Sequence, residues 1–388
     1  MIEYLDISKI SQWTIYLLPL LGFLLGIFLT RRRFRKQKKQ LRFSNDYFQG
    51  LNYLLNDEQD KALDIFIQLV ETDWETIDTS LALGTIFRRK GEIDKAIKLH
   101  QNLLARPSLP LEYKGTVLLS LAKDYLQAGL LDRAESLFIE VVDDDEFTHE
   151  AQQCLMSIYE QEQEWGNAIN IARRFQSRGD VKLAQSIAHY FCELSLQVSR
   201  QNDLKEAETL ATQALTTDKN CVRASILLAD LAIGRGRYQK AIRFLRQVEM
   251  QNIQLFLLVL DKLILCYRNT SNLTKALSYL RTLDKKSKGI SLVPVITTLI
   301  EEIYGKEDAM QYLSEEVIRN PTLSTLNTLL QLQRPEIDRR ENLLPSVVDA
   351  INAKHHGYQC KNCGYSANTH VWLCPSCHSW SSMMPKAE

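Results

Sequence analysis

The stretch GEIDKA at residues 91–96 returns in altered form as GLLDRA at residues 129–134 and as GRYQKA at residues 236–241. Each copy places a glycine five residues before an alanine, and an alanine in matching context recurs along the chain at intervals of 33 to 39 residues. The recurring alanines are Ala62, Ala96, Ala134, Ala168, Ala207, Ala241, Ala276 and Ala309. A regular period of this length is the sequence signature of a repeat architecture.

Two other positions keep the same period. Twelve residues before the alanine the side chain is mostly small, as at Gly84 and Ala122, and nine residues before it the side chain is mostly large, as at Phe87 and Tyr125. Small residues let two helices approach closely, and a glycine can adopt the left-handed conformation that separates one helix from the next. We therefore predict that each repeat is a helix, a tight turn and a second helix.

These repeats resemble the tetratricopeptide repeat (TPR) family over residues 44–321, in about eight units. One hairpin of this kind cannot bury its apolar faces alone, so neighbours stack into a superhelical solenoid with an extended concave surface. The predicted fold class is all-α, with terminal helices and a linker following at residues 322–354. Such a surface binds peptides or partner domains, which favours an interaction protein over an enzyme.

The amino-terminal segment WTIYLLPLLGFLLGIFLT, residues 13–30, has no charged side chain and is about as long as a helix that crosses a bilayer. Residues 31–42 then carry eight basic side chains, although the formal net charge of the 388 residues is zero. Because Lys and Arg favour the cytoplasmic side, we predict a transmembrane helix, a basic collar at residues 31–43 and a cytoplasmic domain. The basic residues flank the span instead of covering the domain, so nucleic acid is not an expected partner.

A cleaved secretory signal is the competing interpretation of this segment. It is disfavoured because Glu3 and Asp6 lie in the short leading segment, and because no small-residue cleavage site precedes the arginines. Four of the eight cysteines are scattered singly through helical sequence, which is typical of reduced core residues in a cytoplasmic protein. These are Cys154, Cys192, Cys221 and Cys266.

The other four cysteines lie in YQCKNCGYSANTHVWLCPSCHSW, residues 358–380, as the pairs Cys360-x-x-Cys363 and Cys374-x-x-Cys377. Two such pairs at short separation predict a tetrahedral metal site of four thiolates. The protein fills every ligand position, so no open position remains for an activated water, and a structural role is favoured. A domain of about 30 residues would also depend on the metal for its folding. Redox catalysis by one cysteine pair is disfavoured, because the strand and helix context of thioredoxin-like sites is absent.

The wording of these pairs, CGY and CPSC, resembles the rubredoxin-like fold, whose sulfur site holds iron or zinc. We place this domain at residues 355–388. Its histidines are surplus to a complete ligand set and are expected in loops, at His355, His356, His370 and His378. Each Cys-x-x-Cys turn is called a knuckle, and the terminal domain that contains both is called the knuckle domain, or the knuckle. Trp372 and Trp380 are expected to pack over the knuckles.

The whole order of anchor, collar, repeats and terminal knuckles resembles the lipopolysaccharide assembly protein B family of Gram-negative bacteria. Particular stretches carry the resemblance besides the knuckles. They are SNDYFQGLNYLLNDEQDKALDIF (44–66), FRRKGEIDKAIKLHQ (87–101), DYLQAGLLDRAESLF (124–138) and AHYFCELSLQ (188–197).

The resemblance implies a non-enzymatic regulator of lipopolysaccharide synthesis in the inner membrane, with residues 1–12 in the periplasm. Its expected partners are the lipid A deacetylase, a membrane-bound AAA+ metalloprotease that degrades this deacetylase, and other lipopolysaccharide assembly proteins. The resemblance also implies that Cys360, Cys363, Cys374 and Cys377 are the metal ligands and that the knuckle packs back onto the repeats. It leaves homo-oligomerisation open.

Two other classes of function remain open at this point. An electron-transfer protein would use a rubredoxin-type iron site exposed to a redox partner. A chaperone-docking TPR receptor would need a basic clamp, for which Arg88, Arg89 and Lys90 are candidates, although a solvated helix terminus is the simpler interpretation. No HExxH, GxSxG or Walker A motif indicates an enzyme.

Overall fold

The computed structural model describes residues 77–107, 109–175, 180–286, 291–319, 321–333 and 357–386, with a few isolated positions between residues 49 and 65. The chain divides into two compact units, Met1–Ile158 and Tyr159–Glu388. The predicted membrane segment, the basic collar, most of the first repeat and most of the linker lie outside the described residues. Among the helices of the described ranges, none is both long and apolar enough to cross a bilayer.

The described part of the chain is mostly helical, and its helices follow one another with short connections. In order they are α1 (Ile77–Arg89), α2 (Ile93–Leu104), α3 (Leu111–Gln127), α4 (Leu131–Val141), α5 (Thr148–Gln161), α6 (Trp165–Phe175), α7 (Val181–Arg200), α8 (Leu204–Thr217), α9 (Val222–Gly234), α10 (Tyr238–Gln251), the 3-10 helix Ile253–Val259, α11 (Leu260–Asn269), α12 (Leu273–Lys286), α13 (Val293–Tyr304), α14 (Lys306–Arg319) and α15 (Leu323–Gln333).

Helices pack in the order expected of stacked hairpins. In the first unit α1 packs on α2, α3 on α4, and α1 also touches α3. In the second unit each helix from α7 to α15 packs on the next, with the 3-10 helix inserted between α10 and α11. The first helices of neighbouring hairpins also touch there, as α7 does with α9 and α13 with α15. The prediction of repeated helical hairpins is confirmed for these residues.

The recurring alanine is buried in each hairpin that the structure describes. Every one of these alanines within the described ranges, from Ala96 to Ala309, is at most 1% exposed. In the hairpin of α7 and α8, the hydroxyl of Ser195 donates a 2.7 Å hydrogen bond to the carbonyl oxygen of Ala207. In this hairpin the small residue twelve positions earlier is therefore the partner of the alanine. In the hairpin of α1 and α2 the equivalent residue, Gly84, instead lies against the ring of His100, which leaves no room for a Cβ atom.

The turn residue five positions before the alanine has a positive φ in six consecutive hairpins. Glycine occupies it three times, at Gly91, Gly129 and Gly236, with φ between 68° and 79°. The other three are Gln163, Asn202 and Ser271, with φ of 58°, 68° and 53°. The turns predicted from the glycines are confirmed, and the same turn also forms where the sequence has no glycine.

The terminal domain contains the strands of the described structure. These are β1 (Tyr358–Cys360), β2 (Ser366–Ala367) and β3 (Met383–Pro385), which form one antiparallel sheet in the order β2-β1-β3. Cys360 pairs with Met383 across β1 and β3. The all-α prediction therefore holds for the repeats, and the small terminal domain adds a sheet to it.

Candidate metal centre

The first cysteine pair sits on a tight turn that begins at the end of β1. The amide of Cys360 donates to the carbonyl of Tyr365 at 2.8 Å, and the amide of Gly364 donates back to the carbonyl of Cys360 at 2.9 Å. Gly364 has a φ of 79°, which an L-residue adopts only at a cost. The glycine after Cys363 therefore lets the chain fold back so that both thiols lie on the same side.

The second pair repeats this geometry. The amide of Cys374 donates to the carbonyl of Ser379 at 3.1 Å, and the amide of His378 donates to the carbonyl of Cys374 at 2.9 Å. His378 occupies the place that Gly364 has in the first turn, with a φ of 51°. The two halves of the site thus have the same backbone design although their sequences differ after the second cysteine.

The two turns bring the four sulfur atoms together. All four lie within 4.8 Å of one another. The Sγ atoms of Cys360 and Cys377 are 3.6 Å apart, and those of Cys363 and Cys374 are also 3.6 Å apart. A tetrahedral site with metal–sulfur bonds of about 2.3 Å places its sulfur atoms about 3.8 Å apart. The cluster therefore fits one metal ion of the kind that thiolates bind, and the prediction of a single four-cysteine metal site is confirmed.

Hydroxyl groups next to the sulfurs favour their ionised form. Ser382 Oγ lies 3.2 Å from Cys360 Sγ, and this hydrogen bond lowers the pKa of Cys360 to about 6. Ser379 Oγ lies 3.4 Å from Cys377 Sγ and lowers the pKa of that thiol in the same way. Burial instead raises the pKa of Cys374 to about 11. Metal binding requires thiolates. The two serines favour the thiolate forms of Cys360 and Cys377, and a bound cation would supply the rest of the stabilisation of the four thiolates.

The two surplus histidines that the structure describes, His370 and His378, stay out of the sulfur cluster. The ring of His370 packs edge-on against Trp372, with ring centres 4.4 Å apart, and against Tyr358 at 5.2 Å. Burial lowers the pKa of His370 to about 4. His378 is exposed, and His355 and His356 lie outside the described residues. The expectation of loop positions is met for His370 and His378.

Trp380 does not pack where the sequence predicts. It was expected to pack over the knuckles, yet its indole lies flat on the ring of His189 in α7, with centres 4.6 Å apart and planes 13° apart. The indole N–H donates a 2.9 Å hydrogen bond to Glu160 Oε1, and the Tyr190 hydroxyl donates to the same oxygen at 2.7 Å. The reason is geometric, because the second turn points this side chain away from the sulfur cluster and toward the first helices of the repeats.

Other contacts also join the terminal domain to the repeats within the second unit. Together with the contacts of Trp380 they form what we call the docking surface. The His189 ring and Ser381 Oγ share a hydrogen bond of 2.7 Å. Arg223 in α9 lies over the Trp380 ring at 5.8 Å and is itself held by Glu193, to which it donates at 2.8 Å. Next to the 3-10 helix, the Asn252 amide lies 3.6 Å from the sulfur of Met384.

Trp372 and Met384 also pack against the apolar core that α9 to α14 share. The knuckle is thus fixed on the repeats by stacking, hydrogen bonds and apolar contact together. A large aromatic residue inside so small a metal domain is the one sequence signal that could have indicated this surface.

Arg88 is one of the candidates for the basic clamp that a chaperone-docking receptor would need. Arg88, at the end of α1, donates a 2.8 Å ion-paired hydrogen bond to Asp124 and a 3.2 Å hydrogen bond to the carbonyl of Ser120. Asp124 is fully buried and also contacts His100 at 2.5 Å. Arg88 therefore serves the packing of α1 on α3. It lies at a helix terminus as the simpler interpretation has it, but its side chain is 15% exposed and ion-paired, so for Arg88 the terminus is not a solvated one.

Family models match the two parts of the chain. Residues 358–385 match the rubredoxin metal binding domain, and residues 79–111 and 200–252 match tetratricopeptide repeats. The matched families are thus a repeat scaffold and a metal-binding domain, and no catalytic domain is among these matches. Among solved structures, a TPR protein from Cytophaga hutchinsonii covers 73% of this chain and 99% of its own, with 12% identity and a TM-score of 0.40. A TPR protein from Parabacteroides merdae covers 75% and 98%, with 15% identity and a TM-score of 0.31. Neither score supports a conclusion about function.

Curated relatives match almost end to end. Lipopolysaccharide assembly protein B of Escherichia coli strain K12 is 35% identical over 355 residues, which is 90% of this chain and 91% of the relative. The protein of that name from Haemophilus influenzae is 32% identical over 378 residues, covering 93% of this chain and 94% of the relative. At this identity over nearly the whole length, the chain belongs to the lipopolysaccharide assembly protein B family.

Proposed function

We propose that this protein is a membrane-anchored adaptor that controls lipopolysaccharide synthesis by delivering the lipid A deacetylase to a membrane-bound AAA+ metalloprotease. The observation that carries the proposal is the match over 90% of the chain to a relative whose name states a role in lipopolysaccharide assembly. Other lipopolysaccharide assembly proteins are further partners that the same scaffold could gather.

The metal site supports an adaptor more than an enzyme. A metal ion bound by the four thiolates would have a filled tetrahedral shell and no open position for substrate or water; its ligands would be Cys360, Cys363, Cys374 and Cys377. Zinc or iron there would tie the two turns together, which stabilises the surface around Trp380. A delivery scaffold needs no nucleophile or general base, because its contribution is to bring protease and substrate together.

Anchoring makes such delivery efficient. The uncharged segment 13–30 and the eight basic residues of 31–42 support a single inner-membrane span with the repeats in the cytoplasm. A scaffold confined beside a membrane protease raises the effective concentration of a bound soluble substrate without any new contact.

The test is the half-life of the lipid A deacetylase in the source bacterium, followed by pulse-chase. We expect a longer half-life when the chain is depleted and the original half-life when the wild-type chain is restored. Restoration with Cys360→Ser/Cys363→Ser should fail, while Cys154→Ser, which removes a thiol outside the knuckles, should succeed. An unchanged half-life on depletion would reject the adaptor function.

Electron transfer is a second candidate because Cys363 is exposed, so one ligand of the site meets solvent. Replacing iron by zinc distinguishes the two functions, because zinc does not change its oxidation state and cannot transfer electrons. Protein loaded only with zinc should retain regulation if the role is structural. Loss of regulation in that protein would favour electron transfer.

A further inference from the structure

A groove with a basic lining lies between α10 and α12, over the end of α11. Its volume is about 660 Å³. We call it the basic groove and define it by Gln239, Arg243, Arg246, Gln247, Asn272 and Lys275. Ile242 and Tyr267 also line it. It lies within the second unit, on helices that do not carry the knuckle contacts of Trp380.

The charge of the basic groove is only partly balanced, because its lining has three cations and one carboxylate. Arg243 and Lys275 are exposed, and within the described residues neither side chain makes an ion pair or a hydrogen bond. Arg246 lies over the ring of Tyr279 at 4.3 Å, which holds its guanidinium in place. The one acidic residue of the lining, Glu249, already accepts a 2.8 Å hydrogen bond from the Tyr279 hydroxyl.

Nearby cations outside the groove have acidic partners. Lys240 and Arg235 both pair with Glu208, and Lys262 pairs with Asp230. Over the two helices α10 and α12 the sequence has seven Lys and Arg against two acidic residues, whereas the whole chain has 47 of each kind. These two helices therefore have a local excess of positive charge, to which Arg243, Arg246 and Lys275 contribute in the lining of the groove.

We propose that the basic groove binds an acidic segment of a partner protein. Guanidinium groups bind carboxylates through paired hydrogen bonds, and an Arg already positioned by a ring loses little freedom on doing so. The amides of Gln239, Gln247 and Asn272 can both donate to and accept from a peptide backbone. A groove between two helices admits an extended chain, whereas the surface of a bilayer would reach only its rim.

Peptide binding at the basic groove can be tested separately from the lipopolysaccharide function, because the assay needs neither the deacetylase nor the protease. The assay uses the full chain in nanodiscs of uncharged lipid, and the probe is a fluorescein-labelled decapeptide of alternating Glu and Ala. A decapeptide with Gln in place of Glu is the uncharged comparison. Fluorescence anisotropy reports binding, which should weaken as salt is raised.

The test variant is Arg243→Glu/Lys275→Glu. Its control is Lys182→Glu/Arg200→Glu, which makes the same change of charge at two exposed positions of α7. We expect the wild-type chain to bind the Glu peptide and not the Gln peptide. The groove variant should bind at least about tenfold more weakly, and the control within about twofold of wild type. All residues concerned are exposed, and unchanged circular dichroism would verify folding.

Two results would overturn the proposal. One is an equal effect of the two variants, which would mean that the peptide responds only to net charge. The other is unchanged peptide binding by the groove variant together with loss of its contact with added phosphatidylglycerol vesicles, which would assign the charge to a lipid surface.

Discussion

At the scale of the residue, His189 has the most unusual environment in the docking surface. It lies on α7 beneath the Trp380 indole and is 1% exposed, and within the described residues its Nδ1 has no hydrogen-bond partner. Burial, with a smaller contribution from the positive charge of Arg223, lowers the pKa of His189 to about 3. The ring is therefore neutral in the folded protein at pH 7.

This environment predicts a loss of stability in mild acid. The unfolded chain binds a proton at His189 below about pH 6.5, whereas the folded chain does so only near pH 3, so acid favours the unfolded state between these values. We expect His189 to remove about 2 kcal/mol from the free energy of unfolding between pH 7 and pH 5. Urea unfolding at several pH values measures it.

The matched variant is His189→Gln, which keeps a polar group near Ser381 and does not titrate. Release of the metal in acid affects both proteins, so the difference between their pH slopes reports His189 alone. Equal slopes in the two proteins would show that this ring is not buried against Trp380 as described.

At the scale of the element, the repeat turns carry a cost that differs from hairpin to hairpin. Ser271, between α11 and α12, has a φ of 53°, and an L-residue in this region costs about 1–2 kcal/mol. Replacing Ser271 with Gly removes this cost but adds backbone entropy to the unfolded chain. We expect Ser271→Gly to raise the free energy of unfolding by up to about 1 kcal/mol, as measured in urea.

The reverse change at Gly236 is the comparison. A Cβ atom built there meets nothing within 4 Å, so Gly236→Ala changes only the backbone preference at a φ of 68°. It should lower the free energy of unfolding by about 1 kcal/mol. If both variants are as stable as the wild type, the turns do not have the left-handed conformation.

At the scale of the whole molecule, the second unit joins repeats and metal domain through the surface around Trp380. Removing the metal should therefore be felt beyond the knuckle, because the turn that holds Trp380 also carries Cys374 and Cys377. In Cys360→Ser/Cys363→Ser we expect bound metal to fall from one ion to none. Hydrogen exchange should accelerate both in residues 357–386 and in the part of α7 around His189.

The control for that experiment is Cys154→Ser, which should retain its metal and its exchange protection. The helices of the repeats should stay folded in both variants, since their core between α9 and α14 includes the knuckle only through Trp372 and Met384 at its edge. Faster exchange confined to the knuckle, with α7 unchanged, would contradict the coupling.

Much of this design could be predicted from the sequence because it is local. The interval between recurring alanines reports the length of a helical hairpin, and a Cys-x-x-Cys pair reports one tight turn. Both depend on residues that are close along the chain, so the pattern can be recognised in the amino-acid sequence. Gln163 and Ser271 were not identified as turn residues because their side chains give no such signal, and packing of the hairpin on both sides forces them into the turn.

The sequence by itself determined the family, the repeated hairpins and the four cysteines of the metal site, since periodicity and short spacing encode each of them. Only the tertiary structure decided where the metal domain rests and which cations stay unpaired. Trp380 contacts Glu160 from 220 positions away along the chain, and Arg243 and Lys275 line one groove from two different helices. Contacts of this kind depend on how successive hairpins stack, which no local pattern records.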